Sequence, residues 1–261
     1  MAPRWLEHPL TRGMSLDSPL TTELRRTIVT GKPFLRRIYD EWYTTLAQRI
    51  PSGAGRVLEV GSGAGFFQEY VRDVIRSEVF HCSELDVIAD ACQLPFAAGS
   101  LRAIVMTDVF HHVPDVRAFM REASRSVRPG GVIAMVEPWS TTWSRFVYGR
   151  FHHEPFRTDV ARWEFEATGP LSSANGALPW IVFSRDRAMF EREFPQWTVE
   201  DITPGMPLRY LLSGGISLRA LMPGWSFIAW RGVERMMRPL MDEVAMFATI
   251  TLRRSDVPAE V

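Results

Sequence analysis

From Leu35 onward, apolar residues return every three or four positions. Leu35, Ile38, Trp42 and Leu46 share one face, with Arg36, Arg37, Asp40 and Glu41 turned away, which predicts an amphipathic helix. Residues 1–33, punctuated by prolines, show little periodicity and read as a draped arm. Pro51-Ser-Gly-Ala-Gly breaks the chain, and Arg56-Val-Leu-Glu-Val then predicts a short buried strand. It runs into Gly61-Ser-Gly-Ala-Gly, after which Phe67, Tyr70, Val71, Val74 and Ile75 fall at helical spacing. Leu101 to Thr107 reads as a central strand. Val116, Phe119, Met120, Ala123 and Val127 form a helix face stopped by Pro129-Gly-Gly, and Val132 to Glu137 is another buried strand. Strands alternating with helices predict a mostly parallel sheet covered on both sides. After Pro138 the rhythm is lost. It returns with Trp197-Thr-Val-Glu-Asp-Ile and with Met246 to Leu252, whose period-2 pattern predicts a strand with one wetter face.

Length and composition narrow this picture. A chain of 261 residues suits one large α/β domain or one domain with a sizeable insertion. Thirty basic against thirty acidic residues give a formal charge of zero, so no basic face for nucleic acid is expected. Cys82 and Cys92 are the only cysteines and form no C-x-x-C pair, which excludes a disulfide scaffold or a cysteine-rich zinc site. The N-terminus has no apolar leader core, and no stretch approaches the roughly 18 apolar residues of a membrane span. A soluble cytoplasmic protein is the expectation. The tryptophans are unevenly spread: seven of nine fall after residue 138, which suggests two regions with different jobs.

The glycine turn carries the chemistry. A strand holding an acid, followed by glycines, lets backbone approach a nucleotide closely and aims free N–H groups at it. The dinucleotide fingerprint is G-x-G-x-x-G, but here Phe66 stands where its third glycine belongs. With Glu59 the pattern is E-x-G-x-G-x-G, which resembles motif I of the class I S-adenosylmethionine (SAM) methyltransferases. Ala89-Asp-Ala-Cys-Gln-Leu-Pro-Phe resembles that family's adenine-capping segment. Val105-Met-Thr-Asp-Val-Phe-His-His-Val resembles its fourth motif, and Arg128-Pro-Gly-Gly-Val-Ile-Ala-Met-Val-Glu-Pro its turn into the fifth strand. Order and spacing match over about residues 55–138, closest to the type 11 or ubiquinone-methyltransferase-like branch.

The resemblance implies SAM as cofactor and assigns roles residue by residue. Gly61 and Gly63 would pass under the methionine part, within a turn completed by Ser62 and Gly65 and braced by Glu59. Glu84, ending a strand Val79–Ser83, would take both ribose hydroxyls, with Asp86 as a substitute. Asp90 would accept from the adenine amino group, Ala91 and Leu94 would lie near the ring, and Thr107 and Asp108 near the sulfonium. Only about three residues separate that second strand from Ile88-Ala-Asp, and a parallel crossover needs a dozen or more. The expected fold is therefore a Rossmann-like, mostly parallel seven-stranded sheet with an antiparallel C-terminal strand. The helix between strands 2 and 3 is missing, and a helical or loop cap is inserted. The parts are an N-terminal arm and helix (1–50), the SAM-binding core (51–138), a divergent substrate region (139–230) and a C-terminal helix and strand (231–261).

The acceptor end is read more coarsely. His111-His112 follow a strand's C-terminal end, and His152-His153-Glu154 lie in the divergent region; His112 and His153 are the candidate bases. No metal site is expected, since no third ligand has persuasive spacing from the two histidine pairs. The late tryptophans, Met206 to Leu212 and Leu218 to Trp225 pack as core, wall a pocket, or rest weakly on a membrane surface. Their apolar character points to a small apolar, aromatic or lipid-linked acceptor as partner. Two alternatives stand beside this reading. One is a non-catalytic protein of the same fold that serves binding or assembly. The other is a nicotinamide-dependent oxidoreductase, disfavoured by Phe66.

Overall fold

Alternate residues of the central strands face opposite sides of one sheet, and each side carries its own apolar cluster. On β5, Ile133 and Met135 pack into one cluster while Val132, Ala134 and Val136 pack into the other, the period of two expected of strands buried on both faces. The computed structural model describes residues 6–11, 18–152, 154–166, 169 and 173–255. Its strands are β1 (Arg56–Val60), β2 (Val74–Glu78), β3 (Val87–Ile88), β4 (Leu101–Thr107), β5 (Val127–Pro138), β6 (Trp197–Gly205) and β7 (Phe247–Arg254). They form a seven-stranded sheet in the order β3-β2-β1-β4-β5-β7-β6. The pairs among β1 to β5 are parallel, and β7 runs antiparallel to both β5 and β6.

The helices are α1 (Pro19–Gly31), α2 (Pro33–Arg49), α3 (Val116–Ser126), α4 (Thr142–Phe151), α5 (Leu178–Trp180), α6 (Arg187–Glu193), α7 (Arg209–Ser213), α8 (Phe227–Met236) and α9 (Met241–Val244). Helix α3 and the segment 178–190 cover one face of the sheet; α2, α4, α7 and the start of α8 cover the other. Among the described residues no helix is long and apolar enough to cross a membrane.

The Rossmann-like seven-stranded sheet, its antiparallel strand and its helical cap segments agree with the expectation, and several local readings are corrected. The arm at 1–33 holds a 13-residue helix, α1. Its periodicity is weak because two of its four buried residues are the hydroxyls Thr21 and Thr22, and because it opens on Pro19, which suits a first helical turn. The glycine turn leads not into a helix but into a single short turn, Phe67–Glu69, and Val74 and Ile75 already belong to β2. Phe66 and Phe67 sink under α2 instead, with Tyr43 4.9 Å and 5.3 Å from their rings. A bulky residue is tolerated at the third-glycine position because no helix starts there to crowd it.

With β2 placed at 74–78, the segment Val79–Ser83 is loop rather than strand. Eight residues, 79–86, join β2 to β3 without a helix. That link is short enough for a parallel pair because β3 meets only the last two residues of β2 (Ser77 with Val87, Glu78 with Ile88), so little return distance is needed. Strand β7 lies between β5 and β6; Met246, Ala248, Ile250 and Leu252 are fully buried, and of the opposite, wetter side Thr249 is half-buried while Thr251 is buried.

Candidate functional site

The strands β1, β2 and β4 end on the same edge of the sheet, the edge at which open α/β sheets bind ligands. A cavity of about 650 Å³ opens there, within the range of small-molecule sites. Gly61, the first residue after β1, lines it with a φ of +71°. A β-carbon at this position would be strained by its backbone and would stand 2.5 Å from Val109 Cγ2. Gly63 and Gly65 serve packing. A β-carbon on Gly63 would collide with Thr22 of α1 and stand 2.9 Å from Glu78 Oε2, and one on Gly65 would collide with the Tyr43 hydroxyl.

The acid at the end of β2 is Glu78. It is 7% exposed, borders the cavity, and accepts the Gly63 N–H at 3.3 Å and the Val79 N–H at 3.1 Å. Burial raises its pKa, opposed by those two hydrogen bonds. Glu84, the acid expected in this place, sits in the 79–86 loop outside the cavity, more than half exposed and paired with Arg26 at 2.5 Å. The Asp86 carboxylate likewise accepts three hydrogen bonds from Arg76, two from the guanidinium and one from the backbone N–H, and does not border the cavity. The strand's place at 74–78 rather than 79–83 is what puts Glu78, and not Glu84, at its end; the signal for that placement was the β-branched pair Val74-Ile75 three residues ahead of an acid.

Past β3, Asp90 and Ala91 border the cavity, with the Asp90 carboxylate accepting the Cys92 N–H. Thr107 and Asp108 border it from the end of β4. Asp108 takes a φ of +60°, a conformation Asp tolerates better than most residues, which turns it out of the strand. Burial pushes its pKa up to about 7, opposed by His111 and reinforced by Glu137 and Glu154. Of the remaining sequence candidates, Glu59 and Ser62 lie beneath the turn and do not border the cavity. Ser62 bonds to the Ser77 carbonyl, while burial pushes the Glu59 carboxyl up to about 8. His153 lies outside the described residues.

The cavity also carries an aromatic lining, but not the expected one. None of the tryptophans among the described residues borders it; Trp139, Trp163 and Trp197 are core, and Trp225 is 82% exposed. Its rings are Tyr39, Tyr148, Phe156, Tyr210 and Phe247. Burial, reinforced by Asp108, raises the three tyrosine phenols above their usual pKa, so they stay protonated. Of the two apolar segments singled out in the sequence, 206–212 contributes Tyr210 and otherwise packs against the core, while Leu221 and Trp225 of 218–225 face outward.

His111 and His112 stand on a single turn, Phe110–His112, just after β4. His111 Nδ1 is 2.8 Å from the fully buried Glu137, whose carboxylate also accepts the N–H groups of Val109 and Phe110. Glu137 acts as acceptor throughout, so His111 Nδ1–H is the donor. His112 Nδ1–H donates to the Ser173 carbonyl at 3.0 Å. Both Nε2 atoms face Glu154: His111 at 3.5 Å from Oε2 and His112 at 3.9 Å from Oε1, with His152 Nδ1 3.8 Å from Oε2. Burial would lower the His111 pKa, but hydrogen bonds to Glu137 and Glu154 hold it well above the usual value. Burial and the neighbouring His111 charge press His112 down to about 4. Burial would raise Glu154, yet the surrounding histidines hold it well below the usual carboxylate range. Glu154 was not singled out by itself in the sequence, because it lies 42 residues beyond His112.

Comparison with known proteins supports the same core. Residues 58–135 match the family described as "Methyltransferase domain". A curated protein of Mycobacterium sp. (strain JLS), described as an uncharacterized methyltransferase, is 31% identical over 112 residues, covering 38% of this chain and 44% of the relative. The demethylmenaquinone methyltransferase of Roseiflexus sp. (strain RS-1) is 29% identical over 116 residues, covering 37% and 49%. The chain thus spans about half the length of the curated relatives it matches. Among solved structures, the fold is shared with a methyltransferase in complex with the Haloferax volcanii Trm112 methyltransferase activator. That pair has a TM-score of 0.55 and 12% identity, covering 94% of this chain and 100% of the other. It is also shared with a SAM-dependent methyltransferase from Thermotoga maritima, with a TM-score of 0.51 and 13% identity, covering 89% and 99%.

Proposed function

We propose that this chain, whose residues 58–135 match a methyltransferase-domain family, is a class I SAM-dependent methyltransferase that transfers the methyl group of SAM to a small acceptor held against the aromatic walls of its cavity. The observation that carries the reading is the meeting of Gly61, Glu78, Asp90, Thr107 and Asp108 around one cavity at the strand ends. Their donor chemistry fits the cofactor. Glu78 is a buried acceptor-only group and can take two hydroxyl protons of a ribose. Asp90 would accept from the adenine amino group beside Ala91. Gly61 admits ligand where any side chain would fill the turn, and Asp108 would face the sulfonium. When bound, SAM supplies a methyl group on a sulfonium that is already a good leaving group.

The work left to the protein is alignment and exclusion of water. The rings of Tyr39, Tyr148 and Tyr210 supply faces suited to a cationic or aromatic guest and shut out solvent. At the acceptor end, His112 Nε2 and Glu154 are the groups placed to hold the acceptor's heteroatom. An apolar, aromatic or lipid-linked acceptor suits these walls best.

The test is calorimetric titration with SAM, followed by transfer of labelled methyl from SAM into a cell extract and mass spectrometry of the product. Saturable binding and a labelled small molecule are expected. Absence of SAM binding at millimolar ligand would sink the reading, and binding without transfer would leave a non-catalytic protein of this fold.

A further inference from the structure

The two histidines after β4 and Glu154 make a constellation that the cofactor reading does not use. One ligand atom from each of His111, His112 and Glu154 can be chosen so that all three lie within 4.8 Å of one another. We propose that these three residues bind a divalent first-row transition-metal ion, with its open coordination positions facing the acceptor end of the cavity.

Three features carry this. The first is tautomer control. His111 Nδ1–H is spent on Glu137 and His112 Nδ1–H on the Ser173 carbonyl, so each ring presents Nε2 to the same carboxylate. A carboxylate or carbonyl behind each ligating imidazole is the usual support of a histidine-bound ion, and it fixes ring orientation as well as tautomer. The second is spacing. With ligands about 2.0–2.1 Å from an ion, neighbouring ligand atoms lie roughly 3.0–3.4 Å apart in octahedral or tetrahedral geometry. The two Nε2 atoms stand 3.5 Å and 3.9 Å from different oxygens of Glu154, and the three ligand atoms lie within 4.8 Å of one another, so shifts of about an ångström in the two rings and the loop carboxylate close the set. The third is charge and access. Two imidazoles and a carboxylate, backed by the buried Glu137, form a site that a divalent cation neutralises. His112 and Glu154 both border the cavity, so three protein ligands leave room for a fourth from a guest. Imidazole with carboxylate suits zinc, cobalt, nickel, iron or manganese rather than calcium.

That the open positions would meet an acceptor's oxygen or nitrogen rests on the methyltransferase reading; the metal site itself does not. It would make His112 a ligand rather than a base.

The experiment uses the untagged full chain, stripped with a chelator and titrated with Zn²⁺ by calorimetry and with Co²⁺ by visible absorption. One ion per chain with micromolar or tighter affinity is expected. Glu154→Gln and His112→Ala, each checked for folding by circular dichroism, should each weaken it at least about tenfold, whereas His81→Ala, on the exposed 79–86 loop, should not. No saturable binding at about 100 µM free Zn²⁺, or binding that survives both variants, overturns the proposal. SAM titration of the same sample keeps the readings apart: SAM binding without metal defeats only this one, and metal binding without SAM defeats only the methyltransferase.

Discussion

Replacing Glu78 with Gln, beside Glu84→Gln as its counterpart, asks whether the ribose acid is the one the fold selects. Glu78 ends β2 at the cavity wall, 7% exposed, and each carboxylate oxygen already accepts one backbone N–H, at 3.3 Å and 3.1 Å. A ribose would add two hydroxyl donors to a charged acceptor. Gln keeps one acceptor oxygen and loses the charge, so about one charge-assisted hydrogen bond is lost, a net ~1.5–3 kcal/mol. At 1.4 kcal/mol per decade this raises the SAM dissociation constant roughly 10- to 150-fold. Glu84 holds surface ion pairs with Arg26 and, at 4.0 Å, with Arg76, of a kind worth about 0–1 kcal/mol each to folding and nothing to the cavity. Its substitution should leave SAM affinity within about threefold, an effect below 1 kcal/mol. Calorimetric titration of both variants, with melting temperatures to confirm folding, reads the difference. If Glu84→Gln weakens SAM as much as Glu78→Gln, or if a folded Glu78→Gln binds within threefold of the parent, the assignment is wrong.

Gly61→Ala should cost about 2 kcal/mol or more of stability in urea unfolding. Its φ is +71° and its new β-carbon would meet Val109, and trimming that side chain with Val109→Ala should not restore the loss from φ. A change within about 0.5 kcal/mol would show the turn to be freer than its geometry implies. Glu59, beneath the turn, has its carboxyl pushed from 4.5 up to about 8 by burial. The folded state therefore holds a proton that the unfolded state has released between these values. The associated stability is fully present below pH 4.5 and is lost as pH rises through 8, a swing on the order of a few kcal/mol. Glu59→Gln should flatten that part of the pH–stability curve and narrow the gap between pH 5 and pH 8; an unchanged slope in denaturant titrations refutes it.

Much of the architecture was legible in local pattern. The near-continuous apolar runs in residues 56–60, 101–107 and 132–137, the helix face from Leu35 to Leu46, and the ordered motifs between 55 and 138 suffice for the sheet, because a strand buried on both faces needs an apolar residue at nearly every position. Gly61, Asp90, Ala91, Thr107, Asp108 and His112 were placed at the cavity by the same motifs. Other features were not legible. Val74 and Ile75 satisfy a helical and a strand pattern equally, and only pairing with Val57 and Leu58 decides for the strand. That one choice moves the candidate ribose acid from Glu84 to Glu78. The late tryptophans share composition with a pocket wall, yet packing sends them to the core or the surface and gives the wall to tyrosines and phenylalanines from five separate segments. Glu154 meets His111 and His112 because α4 and its following loop fold back over the end of β4. Local sequence determines which residues can be buried on one element; which distant elements share a cavity is decided by how their faces pack, and here that put the candidate site's chemistry beyond the reach of spacing alone.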